Sequence, residues 1–123
     1  MNGGNGAKAA AESAFVRGAH PHVVEGDTED KASTLTAFAA ALSFPDYFGH
    51  NLDALYDCLT DLSWLPPGEH VLIWAGSEKL RRADPKIYLA IRSVLSDAQR
   101  ALGPGGRSVG SWQLTVVLPD AAS

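Results

Sequence analysis

The chain has 123 residues, 46% of them hydrophobic and 20% charged, which predicts one domain with a buried core. Ten Lys and Arg residues against 14 Asp and Glu residues give a net charge of −4, which argues against a nucleic-acid-binding protein because such proteins need a basic surface. The single cysteine, Cys58, excludes an internal disulfide and favours a reducing, cytoplasmic location, and no apolar run approaches the roughly 18 residues of a membrane helix.

The N-terminal stretch MNGGNGAKAAAESAF predicts a loose tail because it is rich in Gly, Ala and Asn. It lacks the charged region followed by an apolar region that marks a secretory signal. We therefore expect a flexible tail over residues 1–20 and a folded domain over residues 21–123.

The next stretch predicts a strand followed by a helix. Residues 22–25 (HVVE) are short, β-branched and followed by Gly26, which indicates a strand and a turn. Thr28 is the expected N-cap of a helix whose first turn carries acidic residues, and Pro45 ends that helix.

The second half of the chain repeats this alternation. Residues 70–75 (HVLIWA) form a continuous apolar run, which is typical of a strand buried on both faces. Asp84 and Pro85 are the expected start of a long helix, and residues 111–118 (SWQLTVVL) predict a last strand. Strands separated by helices predict an α/β fold with a small three-stranded parallel sheet.

Between the first helix and the second strand lies the segment FPDYFGHNLDALYDCLTDLSW, residues 44–64, which we call the acidic segment. Its first part predicts a turn, with Asn51 as N-cap of a helix over residues 52–62. Asp53, Asp57 and Asp61 recur every fourth residue, and the segment contains no Lys or Arg. At about 100° per residue the three carboxylates lie almost opposite the leucine stripe and face solvent together.

A solvated helix face explains only part of this pattern. It accounts for Asp53, because negative charge is favoured in the first turn of a helix. Like charges four residues apart cost a helix about 0.2–0.5 kcal/mol per pair, and Asp61 meets the negative end of the helix dipole. A surface prepared for a cationic partner is the other interpretation, with Tyr47 and Tyr56 as aromatic anchors. From the residues alone both interpretations stay open.

The stretch FPDYFGHNLDALYDCLTD resembles the signature segment of the barstar family, intracellular inhibitors of a bacterial secreted ribonuclease. The shared pattern is long and specific. Around it HVVEG resembles the family's first strand, VLIW the second and TVVL the last, so the resemblance covers roughly residues 21–118.

The resemblance implies a barstar-like fold and inhibition by charge mimicry, without catalysis and without a cofactor or metal. An aspartate of the family's inhibitory helix takes the place of the RNA phosphate in the nuclease active site, and this aspartate matches Asp57. The implied partner is an extracellular guanyl-specific microbial ribonuclease bound one to one, with no direct contact to nucleic acid or membrane. The other expected partner-binding residues are Tyr47, Gly49, Asn51, Asp53, Tyr56, Thr60, Asp61 and Asp97.

Five departures from the family pattern bear on which ribonuclease is bound. His50 replaces an acid, Phe48 and Tyr56 replace other aromatic residues, and Asp61 stands where the family tends to have Gly. The following stretch SWLPPGEH also runs longer.

Two other functions remain as alternatives. The acidic surface could bind a different basic protein or toxin, or His50, Asp53 and Asp57 could serve a metal-assisted hydrolase, although three mixed ligands are a weak metal signal. Cys58 is expected to be a structural thiol.

The remaining ring-bearing residues receive structural interpretations. His20 and His22 are expected to be solvated, and His70 is expected at the rim of the sheet. Trp64, Trp74 and Trp112 are expected in the core, with Trp64 near the partner surface.

Overall fold

Three parallel strands form the centre of the fold. The computed structural model describes residues 3–25, 29–46, 48–102 and 112–119. In chain order the elements are α1 (Gly3–Val16), β1 (His20–Val24), α2 (Lys31–Leu42), α3 (Leu52–Leu59), β2 (Gly68–Trp74), α4 (Ser77–Ala83), α5 (Pro85–Leu102) and β3 (Trp112–Val117). No helix in these ranges is both long and apolar enough to cross a bilayer.

The sheet has the order β1-β2-β3, and both neighbouring pairs are parallel. The predicted α/β fold with a three-stranded parallel sheet is therefore confirmed. Strands β1 and β2 both begin two residues before the predicted positions. In the register between them, His20 pairs with His70. Pro21 is accommodated because β1 is an edge strand. Proline lacks a backbone N–H, and this missing donor is tolerated in a strand that pairs with only one neighbouring strand.

The larger core lies on one face of the sheet, against α2, α3 and α5. Val24, Leu72, Trp74 and Leu114 point to this face because side chains alternate along each strand. The ring of Phe38 in α2 meets Trp74 edge to face at 5.2 Å. This core anchors α3, the helix within the acidic segment.

The opposite face is covered by α1, which differs from the flexible tail expected for residues 1–20. Ala14 is fully buried and Ala7 is almost so, and both pack with Val71 and Ile73 of β2. Alanine allows close approach of a helix to a sheet, and it is also the best helix former. The composition of residues 1–20 predicted a tail because the buried side chains of α1 are alanines, and a single methyl group contributes little to a hydrophobic sequence pattern.

A polar contact ties the end of α1 to this face. Arg17 donates to both carboxylate oxygens of Glu69 in β2, at 3.2 and 2.8 Å. Thr115 of β3 donates to the same carboxylate at 2.7 Å. These bonds hold the pKa of Glu69 below its usual value, with the Arg17 bond as the largest cause.

The predicted start of α5 is confirmed, whereas the predicted N-cap of α2 is wrong. Helix α2 is capped by Asp30, whose carboxylate accepts from the Ser33 amide at 2.8 Å, whereas Thr28 lies outside the described residues. Helix α5 begins at Pro85 as predicted, and the Asp84 carboxylate accepts from the Ile87 amide at 3.3 Å.

Candidate partner-binding site

Helix α3 starts where the sequence predicts and ends earlier. The Asn51 side chain accepts from the Ala54 amide at 2.8 Å and caps the helix. The helix ends at Leu59, although it was predicted to continue to Leu62. Leu62 instead adopts a left-handed backbone with φ of 57°, a conformation that terminates helices but rarely uses leucine. Its side chain is fully buried, and this burial offsets the backbone strain.

The inner face of α3 belongs to the core. Leu55 and Leu59 are fully buried, and Cys58 between them is 4% exposed. Burial raises the pKa of the Cys58 thiol, and the nearby charges of Asp61 and Asp57 raise it further. A neutral, buried thiol is a poor nucleophile, which agrees with a structural role.

The outer face of α3 presents carboxylates to solvent. Asp53 and Asp57 are exposed on the helix, and Asp61 is exposed just past its end. Within the part of the chain that the structure describes, none of the three forms an ion pair. Because α3 ends at Leu59, Asp53 and Asp57 lie on the helix and Asp61 lies on the turn that follows it.

The turn before α3 brings backbone close to this surface. Gly49 is exposed, and its carbonyl accepts from the Asn51 amide group at 3.3 Å. A Cβ atom added at Gly49 would lie 3.1 Å from that Asn51 nitrogen, so a side chain there would disturb the capping residue. His50 has a left-handed backbone with φ of 52°. Tyr47 lies outside the described residues.

A cluster of aromatic rings supports the turn from below. Phe44 lies 4.8 Å from Phe48 and 5.9 Å from Trp64 between ring centroids. Phe48 in turn lies 4.7 Å from the ring of His50. Sequence reasoning treated Phe48 only as a departure from the family pattern and missed that these rings form one support. The density of aromatic residues between positions 44 and 50 was the available signal.

Two other predicted partner-binding residues also have internal roles. Tyr56 is half-buried on α3. The Thr60 hydroxyl donates to the Tyr56 carbonyl at 2.9 Å and approaches the Asp57 carbonyl at 3.3 Å, so Thr60 closes the helix end. Both residues therefore lie beside the exposed carboxylates, and partial burial or hydrogen bonding restricts the motion of their side chains.

Asp97 lies apart from the other predicted residues. It is exposed on α5, the helix against which α3 packs, and it forms an ion pair with Arg100 three residues later. This partner compensates part of its charge. Its contact with a partner protein stays a prediction.

The described residues give no support to a metal site. Among the described residues no group of three or more His, Cys, Asp and Glu side chains is placed to hold a metal ion, and this search includes His50, Asp53 and Asp57.

The predictions for the histidines were wrong. His70 was expected at the rim and is fully buried, and His20 and His22 were expected in solvent but are half-buried in β1. Their rings stack on His70 with centroids 4.7 and 5.1 Å away. The strand register explains this, because β1 places both histidines on the core face of the sheet.

Of the three tryptophans, only one is fully buried. Trp74 lies in the core as predicted. Trp64 and Trp112 are half-buried, and their indole N–H groups each donate to a backbone carbonyl at 3.0 Å, of Leu42 and of Leu65. Both bonds hold the chain on either side of the acidic segment.

The chain is similar to known proteins. A Bacillus subtilis (strain 168) protein named "Putative ribonuclease inhibitor YrdF" is 68% identical over 25 residues, which is 20% of this chain and 28% of that protein. The matched stretch thus spans little more than a quarter of the relative's length. The profile of the family described as Barstar (barnase inhibitor) matches residues 20–114, well over half of the chain. The chain therefore belongs to the Barstar family.

Proposed function

We propose that this protein inhibits an extracellular guanyl-specific microbial ribonuclease by forming a one-to-one complex in which Asp57 takes the position of the RNA phosphate. It acts by binding and not by catalysis, and it works in the cytoplasm that produces the ribonuclease. The family and the name of the similar Bacillus subtilis protein support the inhibitor class.

The observation that carries the proposal is the pair of carboxylates on the outer face of α3. Asp53 and Asp57 are exposed without an ion pair among the described residues, and the helix beneath them is fixed by fully buried Leu55 and Leu59. A ribonuclease must concentrate positive charge to hold phosphate, so unpaired carboxylates on a rigid helix are complementary to its active site.

A helix and side chains that are already rigid lower the conformational entropy lost when such a complex forms. An aspartate side chain has few rotatable bonds, and the Asn51 cap and the Thr60 hydroxyl fix both ends of α3. The charge also steers a basic partner during encounter, which raises the association rate at low salt. A cell that produces a ribonuclease gains from fast association, because free enzyme would degrade its own RNA.

The remaining partner-binding residues extend this surface in both directions. Gly49 and Asn51 belong to the turn before the helix, and Tyr56, Thr60 and Asp61 complete the helix and its end. Tyr47, which precedes Gly49 in the sequence, is proposed to contact the same partner. We place Asp97 at the margin of the interface because its charge is shared with Arg100. Exposed margin charges affect association rates more than the lifetime of the complex.

The choice of ribonuclease depends on the departures noted in the sequence. His50 stands beside the turn on a left-handed backbone, with its ring against Phe48, so this corner carries an imidazole in place of an acid. An enzyme with less positive charge opposite this corner would be the better partner. We therefore place the target among barnase-like ribonucleases, outside the closest relatives of barnase.

The test is a titration of the full chain into a panel of secreted guanyl-specific ribonucleases, with RNA cleavage followed at low and high salt. We expect stoichiometric loss of cleavage for at least one enzyme and slower association at high salt. A complex of other than one-to-one stoichiometry would contradict the proposed blocking of the active site. Absence of inhibition across the panel would instead favour another basic partner of the same surface.

A further inference from the structure

We propose that His50 makes ribonuclease binding depend on pH, because its imidazole lies within the proposed interface and repels a cationic enzyme once it is protonated. This inference rests on the proposed function, since the repulsion needs a positively charged active site opposite the acidic segment. It assigns to His50 the control of affinity between neutral and mildly acidic conditions.

His50 lies at the junction between the turn and the helix of the acidic segment. It follows Gly49 and directly precedes Asn51, the N-cap of α3, and all three residues are exposed. Asp53, the first of the exposed carboxylates, comes three residues later in the first turn of the helix. Gly49, Asn51 and Asp53 all belong to the surface proposed to contact the enzyme, so the imidazole stands in the chain between the backbone part and the carboxylate part of that surface.

The imidazole is held in place by the aromatic rings beneath the turn. Its ring centroid lies 4.7 Å from that of Phe48, which is only 6% exposed and itself lies 4.8 Å from Phe44. The backbone of His50 is left-handed, with φ of 52°, which fixes the direction in which the side chain leaves the turn. A proton on this ring therefore places a positive charge at a defined position, and the charge cannot move away from an arriving enzyme without losing the ring contact.

No fixed counter-ion for this charge is present among the described residues. Within them His50 has no hydrogen bond and no ion pair. The groups that support the turn from the segments after α2 and α3 are the rings of Phe44 and Trp64, which do not titrate. The charged side chains nearest in sequence are Asp46 and, on α3, Asp53, and both are exposed. The charge of an added proton thus faces solvent and any partner that binds there.

The charge of the acidic segment gives the direction of the effect. The segment contains four Asp residues and no Lys or Arg, so its net charge is −4 with a neutral imidazole and one proton on His50 reduces this to −3. Histidine is the residue type whose charge changes between about pH 5 and 8. Because a cationic enzyme binds the neutral form better, binding releases the proton and the affinity rises as the pH rises through this range. The inhibitor would hold the enzyme in a neutral cytoplasm and release it more readily in acidic surroundings.

Two substitutions at this position test the inference on the ribonuclease that the wild-type chain inhibits. His50→Asn is uncharged at every pH and His50→Asp is negative above about pH 5, and both residue types tolerate a left-handed backbone. From about pH 7.5 to about pH 5.5 at low salt, the wild-type inhibition constant should rise about five- to tenfold more than that of His50→Asn. His50→Asp should bind more tightly than His50→Asn at each pH and associate faster at low salt.

The comparison between variants removes the contribution of the enzyme. Titration of groups on the ribonuclease changes the inhibition constants of all variants alike, so it cancels in the ratio of wild type to His50→Asn at each pH. His20→Gln is the matched control, since it removes an imidazole in β1, outside the acidic segment, and should keep the wild-type pH profile. Urea unfolding at both pH values verifies that each variant is folded.

The outcomes separate this inference from the proposed function. If inhibition is normal and the ratio of wild-type to His50→Asn inhibition constants is the same at both pH values, the role of His50 is wrong and the proposed function stands. The role of His50 is also wrong if His20→Gln loses the pH response as fully as His50→Asn does. If the wild-type chain inhibits no ribonuclease of the panel at either pH, the proposed function fails, and the role of His50 fails with it.

Discussion

The two faces of α3 use the same short helix for opposite purposes. The inner face buries Leu55 and Leu59 completely, whereas the outer face exposes Asp53 and Asp57 without an ion pair among the described residues. Apolar burial fixes the helix, whereas Asp57 adds only like-charge repulsion to the isolated fold and Asp53 gains no more than the favourable dipole interaction of the first turn. Stability and partner binding should therefore be separable by substitutions only one or two residues apart.

The largest effect on stability is expected on the inner face. Leu59→Ala should lower the free energy of unfolding by about 2–5 kcal/mol, because it leaves a cavity in a fully buried site. Urea unfolding measures this change. Leu89→Ala is the matched control, since Leu89 is 62% exposed on α5 and should lose about 0.5 kcal/mol or less. Equal losses in the two variants would contradict the assigned packing of α3.

The largest effect on binding is expected on the outer face. Asp57→Ala should weaken inhibition of the target ribonuclease by at least about 2 kcal/mol, or roughly 30-fold, as expected for a charged hot spot. The same variant should unfold at the same urea concentration or a slightly higher one, because it removes like-charge repulsion on the helix. Inhibition assays and urea unfolding together measure the two effects.

Glu12→Ala provides the charge-matched control for this prediction. Glu12 is exposed on α1, on the opposite side of the sheet from α3, so its removal changes the net charge equally and leaves the acidic segment intact. Inhibition by Glu12→Ala should remain close to that of the wild type. If Asp57→Ala inhibits as well as Glu12→Ala, charge mimicry by Asp57 is wrong.

The sequence was sufficient for features set by local chemistry or long motifs. Asn51 as a cap and Pro85 as a helix start depend on one side chain and its nearest backbone, and the structure confirms both. The parallel sheet followed from the alternation of apolar strands with helices. The acidic segment was found because its pattern is long and specific.

The features that the sequence missed depend on contacts between distant residues. Helix α1 buries mainly alanines, so nothing in its own pattern indicates the sheet beneath it. The burial of His70 depends on the register between β1 and β2, which brings residues 48 positions apart to 2.9 Å. Leu62, three residues past the end of α3, has a left-handed backbone and a side chain that the core buries completely, a tertiary constraint that helix propensity cannot express.

The N-cap of α3 should give an intermediate effect. Asn51→Ala removes the bond to the Ala54 amide and should cost about 1 kcal/mol in urea unfolding. Asn51→Asp keeps an accepting oxygen and should retain most of that stability. Inhibition should fall for Asn51→Ala beyond what the lost stability explains if Asn51 also contacts the partner. Normal inhibition by this variant would remove Asn51 from the proposed interface.

The smallest expected effect concerns the acid that follows the helix. Asp61 lies beyond Leu59, near the negative end of the α3 dipole, and its charge contributes to the raised pKa of Cys58. Asp61→Asn should therefore stabilise the fold by about 0.3–1 kcal/mol at low salt, and by less in high salt because the site is exposed and screened. Urea unfolding at two salt concentrations measures this gain. A loss of stability in Asp61→Asn would show that the carboxylate has a favourable partner in solution. A reduced association rate with unchanged dissociation would place Asp61 at the margin of the interface, where it steers the partner without anchoring it.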